Sequence, residues 1–303
     1  MQGKRNPGGR FLVVLVPYLW LAFFFLVPFL IVLKISLSHD VMARPPYAPL
    51  LDLTQGWQGI KEFLSQLDFS NYALLGKDRI YLAAYLQSLR IAAISTVLLL
   101  LIGYPIAYAM ARAPERLRPL LVMAVILPFW TSFLIRIYAW IGILSREGFL
   151  SQLLIYLGLT DRPVELLYTN TAVYIGIVYS YLPLMVLPLY ATLEKMDHAL
   201  LEAAADLGAP PLAAFWRVTF PLSLPGVIAG SLLCFIPAVG EFVIPDLMGG
   251  SETLMIGKTM WTEFFENRSW TVSSAVAVVL LIVLVAPILI YQRAEARSLE
   301  KAA

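Results

Sequence analysis

Glu202-Ala203-Ala204-Ala205-Asp206-Leu207-Gly208, followed after nine residues by Val218-Thr219-Phe220-Pro221, is a polar island of helix formers between two long apolar blocks, Tyr168–Leu193 and Leu222–Leu247. Asp197 is placed to N-cap a helix through His198, Leu200, Leu201, Glu202, Ala203, Ala204 and Leu207, because its side chain can accept from the free first-turn amides. Gly208 is placed to end that helix in the left-handed conformation, which glycine adopts without a Cβ penalty. Pro210 and Pro211 forbid continuation. Pro211 at a first helical position suits a second short helix through Ala213, Ala214, Phe215 and Trp216, which Pro221 separates from the next apolar block. The expected product is a helix-turn-helix elbow over about 194–221, whose alanine-rich first helix lets a partner approach its backbone closely. A well-capped amphipathic linker would use the same alanine, glycine and proline positions.

The flanking blocks decide the solvent. The chain has 303 residues, 60% hydrophobic and 14% charged, with a mean hydropathy of +0.77, which is more apolar surface than one water-soluble core hides. Phe11–Leu33, Leu86–Ala111, Pro119–Leu144, Tyr168–Leu193, Leu222–Leu247 and Thr271–Tyr291 each run roughly 21–26 residues. At about 1.5 Å rise per residue each reaches across a hydrocarbon core of about 30 Å. In lipid every backbone group must bond internally, and the period-2 pattern of barrel strands is absent, so the blocks are expected to be helices. The fold class is an all-α membrane protein of six transmembrane helices, read as a single domain over 1–303.

Basic residues resist translocation and collect on the cytoplasmic side. With the N-terminus inside, Lys4, Arg5, Arg10, Arg112, Arg116, Arg118, Lys195, Arg217, Arg293, Arg297 and Lys301 fall on cytoplasmic segments, against nine basic residues on the longer outside segments. Both termini are therefore expected in the cytoplasm. The first block exceeds the roughly 7–15 apolar residues of a secretory signal and lacks a small-x-small cleavage site, so it reads as a retained anchor. The outside loop of about 34–85, with Pro45, Pro46 and Pro49, is the longest connection. A short helix near Ile60–Leu67 would lean there on the membrane or on a docked partner, or the loop is only a structured spacer. The turn Arg112–Arg118 is short enough to make the second and third spans antiparallel neighbours.

Several function classes fall away. A net charge of +2, spread over membrane flanks, gives no nucleic-acid surface. One cysteine, Cys234, excludes an internal disulfide, and two histidines, His39 and His198, far apart in sequence, support no metal site. Gly257-Lys258-Thr259 looks like the tail of a phosphate-binding loop, but the earlier glycine it needs falls at Glu252. No nucleophile elbow or metalloprotease pattern occurs, so the chain is not expected to be an enzyme.

Charge inside the apolar blocks is the next signal, since a charged side chain at mid-membrane costs roughly 2.5–3.5 kcal/mol on insertion scales. Arg136 and Glu241 are the clear cases, with Asp246 nearer the outer boundary. Pro245 lacks the amide that would bond to the carbonyl of Glu241, so a carboxylate and a released carbonyl coincide, and both can accept from a cation. The competing reading is an Arg136–Glu241 ion pair that serves packing or gating. On an unbroken helix Glu241 and Asp246 point about 140° apart and share a lumen only if the segment bends. Trp130, Tyr138, Trp140, Tyr174, Tyr179 and Tyr181 offer ring faces to an ammonium passenger, or they sit at lipid headgroups. Pro105, Pro128, Pro183 and Pro188 mark expected kinks.

The elbow resembles the EAA loop of bacterial ABC importer permeases, whose pattern is Glu-Ala-Ala, three residues, Gly, nine residues, then Ile-x-Leu-Pro, here with Val218 and Phe220 at the two apolar places. Through Leu127–Arg136, Ala172–Tyr179 and Phe235–Asp246 with Leu247-Met248-Gly249-Gly250, the whole chain resembles the permeases of bacterial polyamine importers, closest to the putrescine type. The resemblance implies a type I ABC importer permease in the bacterial inner membrane. Glu202, Ala203, Ala204, Asp206 and Gly208 would couple it to an ATPase, while Glu241, Asp246, Trp130, Tyr138 and Tyr179 would line the substrate path. It implies a homologous second permease, two ATPase subunits that hold the ATP and magnesium, and a periplasmic substrate-binding protein that delivers the polyamine. No cofactor is expected in this chain. A permease for another small solute and an ion-coupled secondary transporter are the alternatives.

Overall fold

The computed structural model describes residues 7–50, 56–197 and 199–302. Lys4, Arg5 and His198, used in the readings above, lie outside the described residues, as do the side chains of Arg10, Arg293, Arg297 and Lys301. In chain order the helices are α1 (Pro7–Leu21), α2 (Val27–Ser36), α3 (Gly56–Ser65), α4 (Ser70–Lys77), α5 (Arg79–Arg112), α6 (Arg118–Ile126), α7 (Phe133–Leu144), α8 (Phe149–Tyr156), α9 (Asn170–Glu194), α10 (Ala199–Asp206), α11 (Pro211–Ala214), α12 (Phe220–Val239), α13 (Val243–Met248), α14 (Ile256–Trp261) and α15 (Trp270–Ala302). A short hairpin pairs β1 (His39–Asp40) with β2 (Tyr47–Ala48), His39 opposite Ala48 and Asp40 opposite Tyr47.

Four of the six expected spans stand as long apolar helices: Val14–Ser36, Arg79–Arg112, Asn170–Glu194 and Pro211–Val239. The third is not continuous. Arg118–Trp130 and Phe133–Tyr156 meet at 87°. Pro128 sits in a 3₁₀ turn, Leu127–Trp130, and Thr131 and Ser132 follow in extended conformation. The Thr131 hydroxyl bonds back to the Pro128 carbonyl at 2.8 Å, so a side chain takes the acceptor that a continuing helix would use. The sixth block lies in α15, whose described apolar run is Trp270–Val285.

The fifth span also differs from its expected bounds. It ends at Val239 rather than Leu247, and its start moves back to Pro211, because Pro221 does not interrupt the helix. A π-helical turn over Phe215–Thr219, closed by the Phe220 amide on the Phe215 carbonyl, widens the coil just ahead of the proline. That relieves the ring clash which would otherwise break the rod. The elbow's second helix and the fifth span are one continuous helix.

The chain divides into two compact units, 1–82 with 259–303, and 83–258. In the first, α15 runs along α2 and α4. Asp40 accepts from Ser269 Oγ at 2.6 Å and Thr271 Oγ1 at 2.9 Å, which fixes the start of α15. Asn71 donates to the carbonyls of Ser36 and Ser38 at 2.9 and 2.7 Å, and so satisfies the end of α2. Loop helix α3 overlaps the stretch expected near Ile60–Leu67 but begins four residues earlier and ends two residues sooner, and it leaves Trp57 and Leu64 exposed.

In the second unit α12 packs on α9. The core joins Leu99, Tyr104, Ala107 and Met110 of α5 to Met185, Val186 and Leu189 of α9 and Val227 and Cys234 of α12. Gly226 and Gly230 permit the approach: a Cβ on Gly226 would lie 2.6 Å from Thr192 Oγ1, and one on Gly230 3.1 Å from the Met185 carbonyl oxygen. This small-xxx-small spacing lets two backbones close without a hydrophobic driving force in lipid.

Candidate functional site

The elbow is built by local chemistry. Asp197 Oδ1 accepts from the Ala199 amide at 2.9 Å, the cap expected of it. At the other end Gly208 has φ +77°. Its amide bonds to the Ala205 carbonyl at 2.8 Å, and the Ala209 amide to the Ala204 carbonyl at 3.0 Å, the paired bonds of a Schellman stop. Glu202, Ala203, Asp206 and Gly208 are exposed and Ala204 is half-buried. Beside them Leu207 is 89% and Leu212 72% exposed, with Leu200 and Trp216 also open. That is a patch of large apolar side chains without cover on a short helical pair.

Behind the patch the elbow is keyed into the helices. The Phe215 ring lies 5.5 Å from Tyr104, 6.2 Å from Tyr108 and 5.1 Å from Trp216, and Trp216 lies 5.1 Å from Phe220. Tyr104 and Ser223 hydroxyls meet at 2.9 Å. The cluster ties α11 and α12 to α5, so displacement of the elbow is carried to both helices and not absorbed in a loose linker.

The second region is the break between α12 and α13. Glu241 was expected inside a kinked fifth span; it lies after the helix has ended at Val239, and Pro245 occupies the first turn of α13, where a missing amide costs little. The Glu241 carboxylate is buried. Its Oε1 accepts from the amides of Phe242, Val243 and Ile244 at 3.1, 3.0 and 3.4 Å, and the Tyr181 hydroxyl of α9 donates to Oε2. It is a saturated cap that pins α13 to α9. The Arg136–Glu241 ion pair is not formed: among the described residues the ion pairs are Arg118–Glu194 at 3.6 Å and Lys258–Asp246 at 3.2 Å. The Arg136 guanidinium lies 5.1 Å from the Phe129 ring and 5.8 Å from Phe133, and its Nε and Nη1 are buried without a hydrogen bond. Two aromatic faces at the helix break compensate part of its charge.

Asp246 stands in contrast to Glu241. It belongs to the same short helix, but its side chain is 51% exposed and that of Lys258 34%, and an ion pair so open to water is worth roughly 0–1 kcal/mol. Gly257 beside it explains part of the former Gly-Lys-Thr coincidence, because a Cβ there would lie 2.3 Å from the Gly240 carbonyl oxygen. The Ile256 amide is fixed to Ser88 Oγ at 2.8 Å. Tyr181, read from the sequence only as a ring face, and Lys258, read only within the Gly-Lys-Thr coincidence, are the polar partners of Glu241 and Asp246, a role that nothing in their spacing reveals because it does not show which helices meet.

Of the aromatic candidates, Tyr181 is the one bonded to a carboxylate, Glu241. Trp130 is 76% and Tyr138 60% exposed. Tyr179 meets Trp140 edge to face at 5.4 Å and lines an apolar cavity of about 300 Å³ with Ile106, Met110, Leu121 and Val186. Among the described residues no group of His, Cys, Asp and Glu is placed to hold a metal.

Residues 11–298 match the family of inner membrane components of binding-protein-dependent transport systems. The chain is 46% identical over 224 residues to the spermidine/putrescine transport system permease protein PotB of Salmonella typhimurium, covering 74% of this chain and 78% of that one. It is 40% identical over 284 residues to the protein of the same name from Haemophilus influenzae, covering 93% of each. In fold it is similar to a bacterial ABC transporter involved in the import of the acidic polysaccharide alginate, with a TM-score of 0.64 at 16% identity over 95% of this chain and 94% of that one. The open elbow, the long apolar helices and the match over nearly the whole length agree: the chain belongs to the binding-protein-dependent transport system inner membrane components, the multi-pass permeases of ABC importers.

Proposed function

We propose that this permease carries a linear polyamine of the putrescine and spermidine kind inward across the bacterial inner membrane. The observation that carries this reading is the 40% identity over 93% of the length to a permease named for both amines, which extends well beyond the elbow that importers of many solutes share. A half-exposed carboxylate, Asp246, and the ring faces of Trp130, Tyr138 and Tyr179 supply the chemistry an ammonium chain needs. Glu241 supports the path from behind, by fixing α13. Arg136, cationic beside the break, acts in gating.

In this reading residues 1–303 form one transmembrane domain with both termini in the cytoplasm, paired with a homologous second permease. Two ATPase subunits dock from the cytoplasm, each on one permease, and a periplasmic substrate-binding protein delivers the passenger from the other side. Glu202, Ala203, Ala204, Asp206 and Gly208 meet the ATPase, whose groove covers Leu207 and Leu212. ATP binding draws the docked elbows together, and the continuous helix from Pro211 to Val239 moves as one lever to open the outward side. Hydrolysis resets it, so access alternates between two states of one rigid contact.

The test is uptake of labelled putrescine and spermidine into proteoliposomes of the full assembly, with and without its binding protein. ATP-dependent accumulation of either amine is expected. Transport of an oxyanion or a sugar in place of both amines overturns the polyamine reading and leaves the family intact.

A further inference from the structure

The two carboxylates of the segment after the fifth span are in opposite chemical states. Glu241 receives four donors and is buried, so a passing cation could bind it only by dismantling the cap of α13. Asp246, in the first turn of that helix, is half-exposed with a single ammonium at 3.2 Å, the Nζ of Lys258. The backbone under Lys258 is held on both sides of the break: Gly257 presses on the Gly240 and Glu241 carbonyls, and Ile256 is bonded to Ser88. The lysine head is therefore a partly exposed primary alkylammonium on a fixed root. A lysine head on its four-carbon stem is also the chemical likeness of one end of a diamine.

We propose that Asp246 is an ammonium-binding site of the passage and that Lys258 is its resident competitor, a tethered stand-in displaced by the terminal ammonium of an arriving passenger. The arrangement keeps the carboxylate compensated when the path is empty and keeps the site weak when it is filled, as net transport requires. It also favours passengers bearing at least one primary ammonium, since displacement is an exchange of like for like. The inference rests on the polyamine reading above and extends it to a residue, Lys258, outside the segments that suggested it.

The test compares the complete assembly in proteoliposomes with wild type, Lys258→Met, Asp246→Asn and the double variant, read as KM and maximal rate of putrescine uptake. Removal of the competitor should lower KM about two- to fivefold, the factor corresponding to an exposed ion pair, with a lower maximal rate because release slows. Asp246→Asn should raise KM, and the double variant should match Asp246→Asn alone. An unchanged or raised KM in Lys258→Met overturns the proposal and reduces the pair to surface structure. If Lys258→Met fails to assemble, Lys258→Gln with equilibrium binding of labelled putrescine to the detergent-solubilised assembly decides by the same criterion. Failure of the wild type to carry either amine removes the polyamine reading and this inference together; wild-type uptake with an unresponsive Lys258→Met removes only the inference.

Discussion

At the scale of single residues, burial and partner count assign the roles. Glu241 and Asp246 look alike in the sequence, two carboxylates in an apolar run, yet one is a saturated cap and the other an open ion pair. Glu241→Ala would strand the Phe242, Val243 and Ile244 amides and the Tyr181 hydroxyl, a loss of about 1–3 kcal/mol. It should lower the melting temperature of the detergent-solubilised permease, with Glu241→Gln milder because one acceptor oxygen remains; equal stability of wild type and Glu241→Ala would contradict the cap. Gly226 gives a second case. A valine there must displace Thr192 and the Pro188 carbonyl at 3.0 Å, overpacking that costs about 1–3 kcal/mol, and heat-induced loss of the folded permease at a lower temperature is the expected readout. The presence of charge near the fifth span was legible in the sequence, because lipid makes such residues conspicuous. The division of labour was not, because it depends on Tyr181 and Lys258, which are 60 and 12 residues away along the chain.

At the scale of elements, the elbow was the most readable part. Asp197, Gly208 and Pro211 act through bonds within a few residues, so their spacing alone specifies the cap, the stop and the restart. The two misread elements both turn on proline. Pro221 was expected to break a helix that a π-helical turn instead carries through, while Pro128, with Thr131 and Ser132 behind it, breaks a span that was expected to continue. Whether proline bends, breaks or is absorbed depends on the turn before it, and neighbours supply that turn. The continuous rod has a mechanical consequence. Gly208→Val has no steric neighbour within 4 Å but must hold φ +77°, which costs a branched residue about 1–2 kcal/mol or more. The variant should insert in the membrane normally and lose ATP-driven uptake, measured as the ratio of transport to ATP hydrolysis. An unchanged ratio would refute the lever.

At the scale of the whole molecule, the apolar blocks and the family spacing of the elbow were sufficient to anticipate a multi-pass helical permease, and the match over residues 11–298 agrees. What composition could not supply was the number of unbroken spans, since length and hydropathy count residues without seeing an 87° turn. The proposed transport cycle requires that a partner ATPase grip the exposed alanine face of α10 and drive the fifth span through it. Ala203 is exposed, and the single native cysteine, Cys234, is buried, so Ala203→Cys supplies one reactive thiol on that face. The most direct measurement is cysteine crosslinking of this variant in the purified assembly with its ATPase. A permease–ATPase adduct whose yield changes when ATP is added is expected; an introduced thiol that reacts freely with a small maleimide yet forms no adduct with the ATPase in either nucleotide state would contradict docking at this face.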